Sequence, residues 1–290
     1  MTPDPPRTGL WGELRLPTPF DPDGSSFFEV MRRRSPDAVP GMLRGSGGGD
    51  APDVLGELTA EGTTVLALTY RDGVVVAGDR RATAGHLISK KDVRKVFPAD
   101  RFSAIAISGA AGFAMELAKV FATELEHYEK VEGDTLSLEG KANRLAHMVR
   151  AHLPFAMQGL VVVPLFAGVE AADTHGRIFE YDPVGGRYLS ADYAATGSGG
   201  RDARGALKRD HDPDAPQEGA VRLAVSALFD AAEEDSATGG PDLIRRIYPI
   251  VAVIDGDGYR EMSEESVGAH VEDVVASREE RTIADVPPQR

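Results

Sequence analysis

The chain has 290 residues, of which 42% are hydrophobic, so it can bury a full core, and disorder cannot describe all of it. Its formal net charge of −14 argues against nucleic acid or an anionic membrane as the main partner. Cysteine is absent, which excludes disulfides, a thiol nucleophile and thiolate metal sites, and fits a reducing cytoplasm. No signal peptide begins the chain, and its longest apolar run, 160–169, is too short to span a bilayer.

The first 62 residues differ in composition from the rest of the chain. They are rich in proline, contain Gly-Ser-Gly-Gly-Gly at 45–49 and show no sustained hydrophobic period, which predicts a mobile leader. One apolar segment, 27–31, is either an incidental hydrophobic patch in an unstructured leader or a docking element used during assembly. The composition changes sharply at 58–64, so we expect a leader over 1–62 and a folded domain over 63–290.

The folded part opens with a predicted hairpin. Strands are expected at Thr63–Tyr70 and Val74–Asp79, joined by the turn-forming Arg71-Asp72-Gly73. The first strand has apolar residues at both odd and even positions, so both of its faces should be covered by other parts of the protein. A sheet buried on two sides implies layers above and below it.

Strands and helices alternate in blocks along the rest of the chain. Further strands are predicted at Val93–Phe97, Phe102–Ser108, Leu160–Ala171, Arg177–Tyr181, Tyr188–Thr196, Ile250–Ile254 and Tyr259–Met262. Helices are predicted at Gly112–Lys130, with an apolar stripe of Phe113, Leu117, Val120, Phe121 and Leu125, at Leu138–Met157, Arg201–Arg209 and Glu218–Glu234, and after Ser263. This order predicts an α+β fold, a four-layer αββα sandwich with two sheets inside helical layers.

The Gly62-Thr63 step stands where the leader meets the first strand. Alone, such a step is more often ordinary structure. If this bond were cut, Thr63 would gain a free α-amine with a pKa of about 7.7–8.0, able to act as general base for its own hydroxyl.

Hairpin pairing indicates which residues lie beside Thr63. A three-residue loop centred on Asp72 would place Val65 opposite Asp79 and Thr63 opposite Arg81, with Thr63, Asp79 and Arg81 on one face. A slip of one residue would move Asp79 to the other face.

Lys95 lies between Val93 and Phe97 on one face of its predicted strand. An ammonium in so apolar a setting needs a partner, and Asp79 is the natural one. Such a pair near Thr63 would disfavour protonation of the terminal amine and stabilise charge on the hydroxyl oxygen. The alternative is a purely structural ion pair.

These residues resemble those of the proteasome β-subunit family of N-terminal nucleophile hydrolases. The family pattern is matched, in order, by Gly62-Thr63, Asp79-Arg80-Arg81, Lys95, Ser108-Gly109, Gly197-Ser198-Gly199 and Asp235-Ser236-Ala237-Thr238-Gly239-Gly240. The resemblance covers residues 63 to about 270, and segments 124–130 and 235–242 are most similar to the actinobacterial branch.

The resemblance implies a role for each matched residue. Thr63, freed by an autocatalytic cut after Gly62, would be nucleophile and base, Lys95 would tune its basicity and Asp79 would orient Lys95. The Gly109 N–H would stabilise the oxyanion. The amine and a nearby water would be supported by Ser198 and Asp235, with Thr238 where many relatives have serine. The pocket for the residue before the scissile bond would be lined by Ala82, Thr83, Val93, Ile107, Ala111 and Ala114. The alternative is that these are simply core residues, which explains Val93 and Ile107 equally well.

Assembly and partners are likewise implied by the resemblance alone. It implies a threonine endopeptidase in stacked heptameric rings with proteasome α subunits and other β subunits, fed by an ATPase ring with tagged proteins, in the cytoplasm. Rival interpretations are a non-cutting ring subunit of the α type and the smaller bacterial two-ring relative. The absence of Gly-x-Ser-x-Gly argues against a Ser-His-Asp hydrolase. No cofactor or metal is expected, since nucleotide-binding motifs are absent and 255–258 matches a hairpin turn better than a calcium loop.

Overall fold

The structure is a computed structural model, and it describes residues 62–84, 87–170 and 175–285, with side chains as far as residue 280. These residues belong to one compact unit, Pro52–Arg290. The predicted leader lies outside the described residues except for Gly62, as does its apolar segment 27–31.

The elements follow one another in the predicted alternation of strands and helices. The strands are β1 Thr64–Tyr70, β2 Gly73–Gly78, β3 Ala82–Ala84, β4 Leu87–Lys90, β5 Val96–Asp100, β6 Ser103–Gly109, β7 Val162–Gly168, β8 Arg177–Tyr181, β9 Arg187–Ser190, β10 Tyr193–Gly197, β11 Ile250–Asp255 and β12 Gly258–Glu261. The helices are α1 Ala111–Glu132, α2 Leu138–Ala151, α3 Leu153–Ala156, α4 Gly200–Asp210, α5 Gln217–Glu234 and α6 Glu264–Asp285. The described part of the chain is therefore a mixed helix and sheet domain.

The described strands form two five-stranded antiparallel sheets and a small hairpin. The first sheet has the order β10-β1-β2-β11-β12, the second β5-β6-β7-β8-β9, and β3 pairs with β4. Every residue of β1 is buried, which confirms the prediction that both faces of this strand are covered.

Three hydrophobic clusters show what covers each sheet. Leu66 and Leu68 of β1 face a cluster with α4, α5 and α6, whereas the intervening Val65 and Ala67 face residues of β5, β6 and β7. On the other side of the second sheet, Phe166 packs in a cluster with α1 and α2. The period-two alternation of β1 thus divides its side chains between a helix-facing core and a core between the sheets.

Two predicted elements are interrupted. The helix expected over Leu138–Met157 ends at Ala151, and the four-residue α3 begins beyond His152 with Pro154 in its first turn. Proline lacks the N–H that would continue the α2 hydrogen bonds. The strand expected over Tyr188–Thr196 is likewise two strands, β9 and β10, which belong to different sheets.

The buried face of α1 also differs from the predicted stripe. Phe121 and Leu125 are buried as expected, but Ala114 and Ala118 complete the buried face and Val120 is 42% exposed. The small alanine side chains let the helix lie close to the second sheet. A predicted stripe built from large apolar residues omits these alanines.

The predicted hairpin register is wrong by one residue. Tyr70 pairs directly with Gly73, so the turn has two residues, and Val65 lies opposite Gly78 rather than Asp79. The Asp79 N–H donates to the Thr64 carbonyl at 3.1 Å. Asp79 therefore follows the end of β2 instead of pairing with Val65, and the predicted pairing of Thr63 with Arg81 fails with it.

The strand expected at Val93–Phe97 begins later, at Val96. The Val93 N–H donates to the Arg80 carbonyl at 2.9 Å, which ties this segment to the chain leaving β2. Lys95 consequently lies just before β5, although its carbonyl accepts the Ile107 N–H at 3.0 Å.

Candidate active site

Thr63 lies immediately before β1 and is only 4% exposed. Its Oγ1 donates to the Gly62 carbonyl oxygen at 2.7 Å, and its own carbonyl accepts the Ser198 N–H at 2.9 Å. Gly197 has φ +100°, and a Cβ there would lie 1.9 Å from the Thr63 carbonyl oxygen. The end of β10 must therefore be glycine for the chain to approach Thr63 this closely.

Asp79 anchors the polar cluster from the end of β2. Its Oδ1 accepts the Lys95 ammonium at 2.6 Å and the Thr64 N–H at 2.8 Å. Its Oδ2 accepts the N–H groups of Arg81 and Gly239, each at 2.9 Å. The predicted partnership of Lys95 with Asp79 is confirmed, and four donors compensate the burial of this carboxylate.

Lys95 reaches from the start of β5 toward the bond between Gly62 and Thr63. Its Nζ donates to the Gly62 carbonyl at 3.2 Å and to the Arg81 carbonyl at 2.5 Å, besides Asp79. Burial lowers the pKa of the Lys95 ammonium, although the Asp79 carboxylate opposes this effect. The Gly62 carbonyl oxygen thus accepts from both the Thr63 hydroxyl and the Lys95 ammonium, which polarises this one peptide carbonyl.

Gly109 ends β6 with φ +105°, and a Cβ there would lie 2.1 Å from the Val161 carbonyl oxygen. The next N–H, of Ala110, donates to Val161 on the β7 side, whereas the Ile107 N–H donates to Lys95 on the β5 side. Because alternate N–H groups point to opposite sides of a strand, the Gly109 N–H points to the side of Lys95.

Ser198 approaches Thr63 from the other flank, and Thr238 contacts both Thr64 and Asp235. The Ser198 Oγ lies 3.4 Å from the Thr63 carbonyl oxygen, and Thr238 Oγ1 donates to Asp235 Oδ2 at 2.6 Å. Burial alone would raise the pKa of Asp235, but hydrogen bonds from Ser198, Thr238 and the Ala237 N–H outweigh it and hold the pKa below its ordinary value. Asp235 is therefore maintained as a carboxylate.

A cavity of about 520 Å³ lies between β3, the segment before β5 and the start of α1. Of the six predicted pocket residues, Ala82, Val93 and Ala111 line it, together with Phe113 and Met115. The charged residues Lys90, Asp92 and Arg94 also line it.

The other three predicted pocket residues do not line this cavity. Ile107 and Ala114 are buried in the cluster between the second sheet and its helices, the alternative considered for these positions. Thr83 instead lies beside Gly62, where an added Cβ would come within 2.4 Å of the Thr83 Oγ1. The residue before Thr63 is thus confined to glycine by its neighbours.

Sequence reasoning missed two residues that complete the site. Thr64 donates its N–H to Asp79 and its hydroxyl contacts Thr238, and Gly239 donates to Asp79. Adjacency to Thr63 could have marked Thr64, and Gly239 lies within the family segment 235–240 that the sequence matches. Within the described ranges, no group of three or more His, Asp or Glu side chains could hold a metal ion.

A domain of helices and antiparallel sheets in which a hydroxyl, an ammonium and a carboxylate gather at one peptide bond has the character of a hydrolase. The family model for the proteasome subunit matches residues 59–244, and the chain belongs to this family. It is 52% identical over 276 residues to the proteasome subunit beta of Acidothermus cellulolyticus, which covers 93% of each chain.

Two further relatives carry the same description. The proteasome subunit beta of Acidimicrobium ferrooxidans is 51% identical over 271 residues, covering 91% of this chain and 96% of the relative. That of Streptomyces griseus is 51% identical over 253 residues, covering 87% and 88%. The resemblance to actinobacterial β subunits is confirmed, and membership of the family implies a protease of protein degradation that assembles with other subunits. Among the helices that the structure describes, none has the length and apolarity to cross a membrane.

Proposed function

We propose that the chain is a threonine endopeptidase of the proteasome core particle, with the four-layer αββα architecture of N-terminal nucleophile hydrolases. The observation that carries this proposal is the double hydrogen bond to the Gly62 carbonyl oxygen from Thr63 and Lys95. The nucleophile and a cation meet at the bond whose cleavage would free the α-amine of Thr63. The three hydrophobic clusters support the four layers.

Maturation follows from this geometry. The Thr63 oxygen attacks the Gly62 carbonyl carbon and loses its hydroxyl proton to solvent, and negative charge grows on the carbonyl oxygen that already accepts from Lys95. Collapse of this intermediate breaks the Gly62–Thr63 C–N bond while the departing nitrogen takes up a proton from solvent, which leaves an ester on the Thr63 oxygen and a free α-amine. Water then hydrolyses the ester and releases residues 1–62, so the domain that remains is 63–290.

In turnover the freed amine takes the proton of the Thr63 hydroxyl as the oxygen attacks a substrate peptide carbonyl. Lys95, held by Asp79, disfavours protonation of this amine through its charge. The Gly109 N–H stabilises the oxyanion, a kind of donor often worth about 2.7–4 kcal/mol. The Thr63 amine returns this proton to the leaving amine of the substrate, and water, supported by Ser198, Asp235 and Thr238, then hydrolyses the acyl ester.

The assembly and the substrates belong to the same proposal. The β chains would form stacked heptameric rings with α rings, in the cytoplasm, and an ATPase ring would deliver unfolded or tagged proteins into the closed chamber. Substrate side chains would enter the pocket lined by Ala82, Val93 and Ala111, with Thr83, Ile107 and Ala114 behind or beside it. Its mainly apolar walls favour apolar or aromatic side chains.

Intact mass and N-terminal sequencing of the chain, purified with its α partner, test the proposal. We expect loss of residues 1–62 and a chain that begins at Thr63. Thr63→Ala should block both the cut and peptide hydrolysis. The matched control is Thr69→Ala, because Thr69 lies on the same strand and its hydroxyl bonds the Asp192 carbonyl away from Gly62. An uncut chain in an active particle would overturn the proposal.

A further inference from the structure

Thr64, the residue after the proposed nucleophile, is fully buried and has a polar side chain that the mechanism above does not use. Its hydroxyl oxygen accepts the Gly199 N–H at 2.9 Å and lies 2.6 Å from the Thr238 Oγ1. Its own N–H donates to Asp79 Oδ1 at 2.8 Å. Thr64 thus contacts both flanks of the site, Asp79 on one side and Thr238 on the other.

The direction of this hydrogen-bond chain follows by elimination. Asp235 is a carboxylate and only accepts, so the single hydroxyl proton of Thr238 is donated to it, at 2.6 Å. Thr238 must then accept from Thr64. The Gly199 N–H can only donate, so it leaves the Thr64 proton free for Thr238. The chain runs from Gly199 through Thr64 and Thr238 to Asp235.

The two linking hydroxyl groups are closed off from solvent. Thr64 and Thr238 are both 0% exposed. A Cβ on Gly199 would lie 2.7 Å from the Thr238 hydroxyl oxygen and 2.8 Å from that of Thr64, so only glycine leaves room for the pair. In so dry an environment water cannot replace a missing partner, and the members of a hydrogen-bond chain polarise one another.

We infer that Thr64 is a positioning residue for hydrolysis. This inference rests on the proposed function. Its hydroxyl, oriented by the N–H at the start of α4, fixes Thr238, and Thr238 fixes the Asp235 carboxylate where it supports Ser198 and the amine of Thr63. Thr64 touches no substrate in this scheme. It acts through Thr238, so its loss lowers kcat and leaves substrate binding intact.

Thr64→Val tests the inference, because valine keeps the branched shape and removes the hydroxyl. In the assembled particle, with rates normalised by intact mass to chains that begin at Thr63, we expect kcat to fall roughly tenfold, the scale of one buried hydrogen bond, with KM within about twofold. Thr64→Ser, which keeps the hydroxyl, should restore kcat to within about threefold. Thr69→Val, on the same strand but bonded to Asp192, is the control and should leave kcat unchanged.

A double-variant cycle shows whether the hydroxyl groups act as one chain. Thr238→Val should also lower kcat, and the Thr64→Val/Thr238→Val double variant should lose about as much as Thr238→Val alone rather than the product of the two losses. If Thr64→Val does not assemble, Thr64→Ala replaces it.

The variants at Thr64 and at Thr63 separate failure of the role of Thr64 from failure of the proposed function. Unchanged kcat in the variants without the Thr64 hydroxyl, or a fall that Thr64→Ser does not restore, would overturn the role of Thr64 while leaving the proposed function intact. Activity in Thr63→Ala would instead overturn the proposed function itself.

Discussion

Two buried lysine–aspartate pairs lie at opposite ends of β5. At its start, Lys95 Nζ is 2.6 Å from Asp79 Oδ1, and at its end Asp100 Oδ2 is 2.6 Å from Lys141 Nζ. All four side chains are at most 14% exposed. By distance and burial the pairs are nearly equivalent, so neither property alone marks a catalytic group.

Their remaining contacts distinguish the two pairs. Lys95 also donates to the Gly62 carbonyl, and Asp79 also accepts the Thr64 N–H, so this pair converges on one peptide bond. Asp100 Oδ1 instead accepts from Phe102 and Ser103 within its own turn, so the second pair fastens α2 to the hairpin of β5 and β6. The contacts beyond each ion pair, and not the pair alone, therefore indicate which of the two belongs to the candidate site.

The largest expected effect comes from Lys95→Met. This change leaves a buried carboxylate without its cation and removes a donor from the Gly62 carbonyl. We expect peptide hydrolysis to fall at least about a thousandfold and the leader to remain attached. Peptidase assays of the assembled particle and intact mass measure both effects.

Lys141→Met is the matched control for this experiment. It should keep peptidase activity per cut chain within about threefold, while the free energy of unfolding falls by about 3–5 kcal/mol because Asp100 loses its partner. Equal losses of activity in the two variants would remove the distinction between the pairs.

The sequence predicts the chemical partners in this site better than it predicts the strand register. The partnership of Lys95 with Asp79 was predicted because a buried ammonium requires a carboxylate, and that requirement holds whatever the register. The register itself failed because Gly73 was assigned to the turn. It is a strand residue, and a Cβ there would lie 2.1 Å from the Ile254 carbonyl oxygen of β11, a contact that local sequence does not contain.

The hydroxyl chain from Thr64 was missed for a related reason. The chain forms because the turn between β10 and α4 and the segment after α5 both pack against β1. Contacts between segments so far apart in sequence produce no hydrophobic periodicity that could be recognised within any one of them. The two-faced burial of β1, by contrast, follows from hydrophobic periodicity, as does most of the order of elements, although the short hairpin of β3 and β4 is not predicted.

A smaller effect is expected from Asp79→Asn. The amide keeps the shape but turns one acceptor into a donor, which then faces an N–H group or the Lys95 ammonium. We expect kcat/KM to fall roughly a hundredfold, since two buried hydrogen bonds are disturbed. Asp100→Asn is the control and should lower stability without changing kcat/KM by more than about threefold. Full activity in Asp79→Asn would show that the charge of the first pair is dispensable.

Asp235 extends the comparison to a carboxylate held by hydroxyl and N–H donors, and its expected effect is the smallest. These hydrogen bonds set its pKa below the ordinary value, despite the opposing effect of burial. Because the folded pKa lies below the unfolded value of about 3.9, the ionised group stabilises the fold above that pH. This contribution is lost as the pH falls through the folded pKa.

Asp235→Asn should therefore be less stable than the parent chain at pH 7, by about 1 kcal/mol for the weakened hydrogen bonds. The difference should shrink below pH of about 4 as the parent carboxyl becomes protonated. Urea unfolding of the Thr63→Ala chain, with and without Asp235→Asn, measures this difference in the free energy of unfolding. Thr63→Ala keeps the leader attached in both chains, so cleavage does not affect the comparison. A difference that stays constant from pH 7 to pH 3 would mean that the side chain contributes through its shape, and that its ionised form is not what the hydroxyl groups of Ser198 and Thr238 hold.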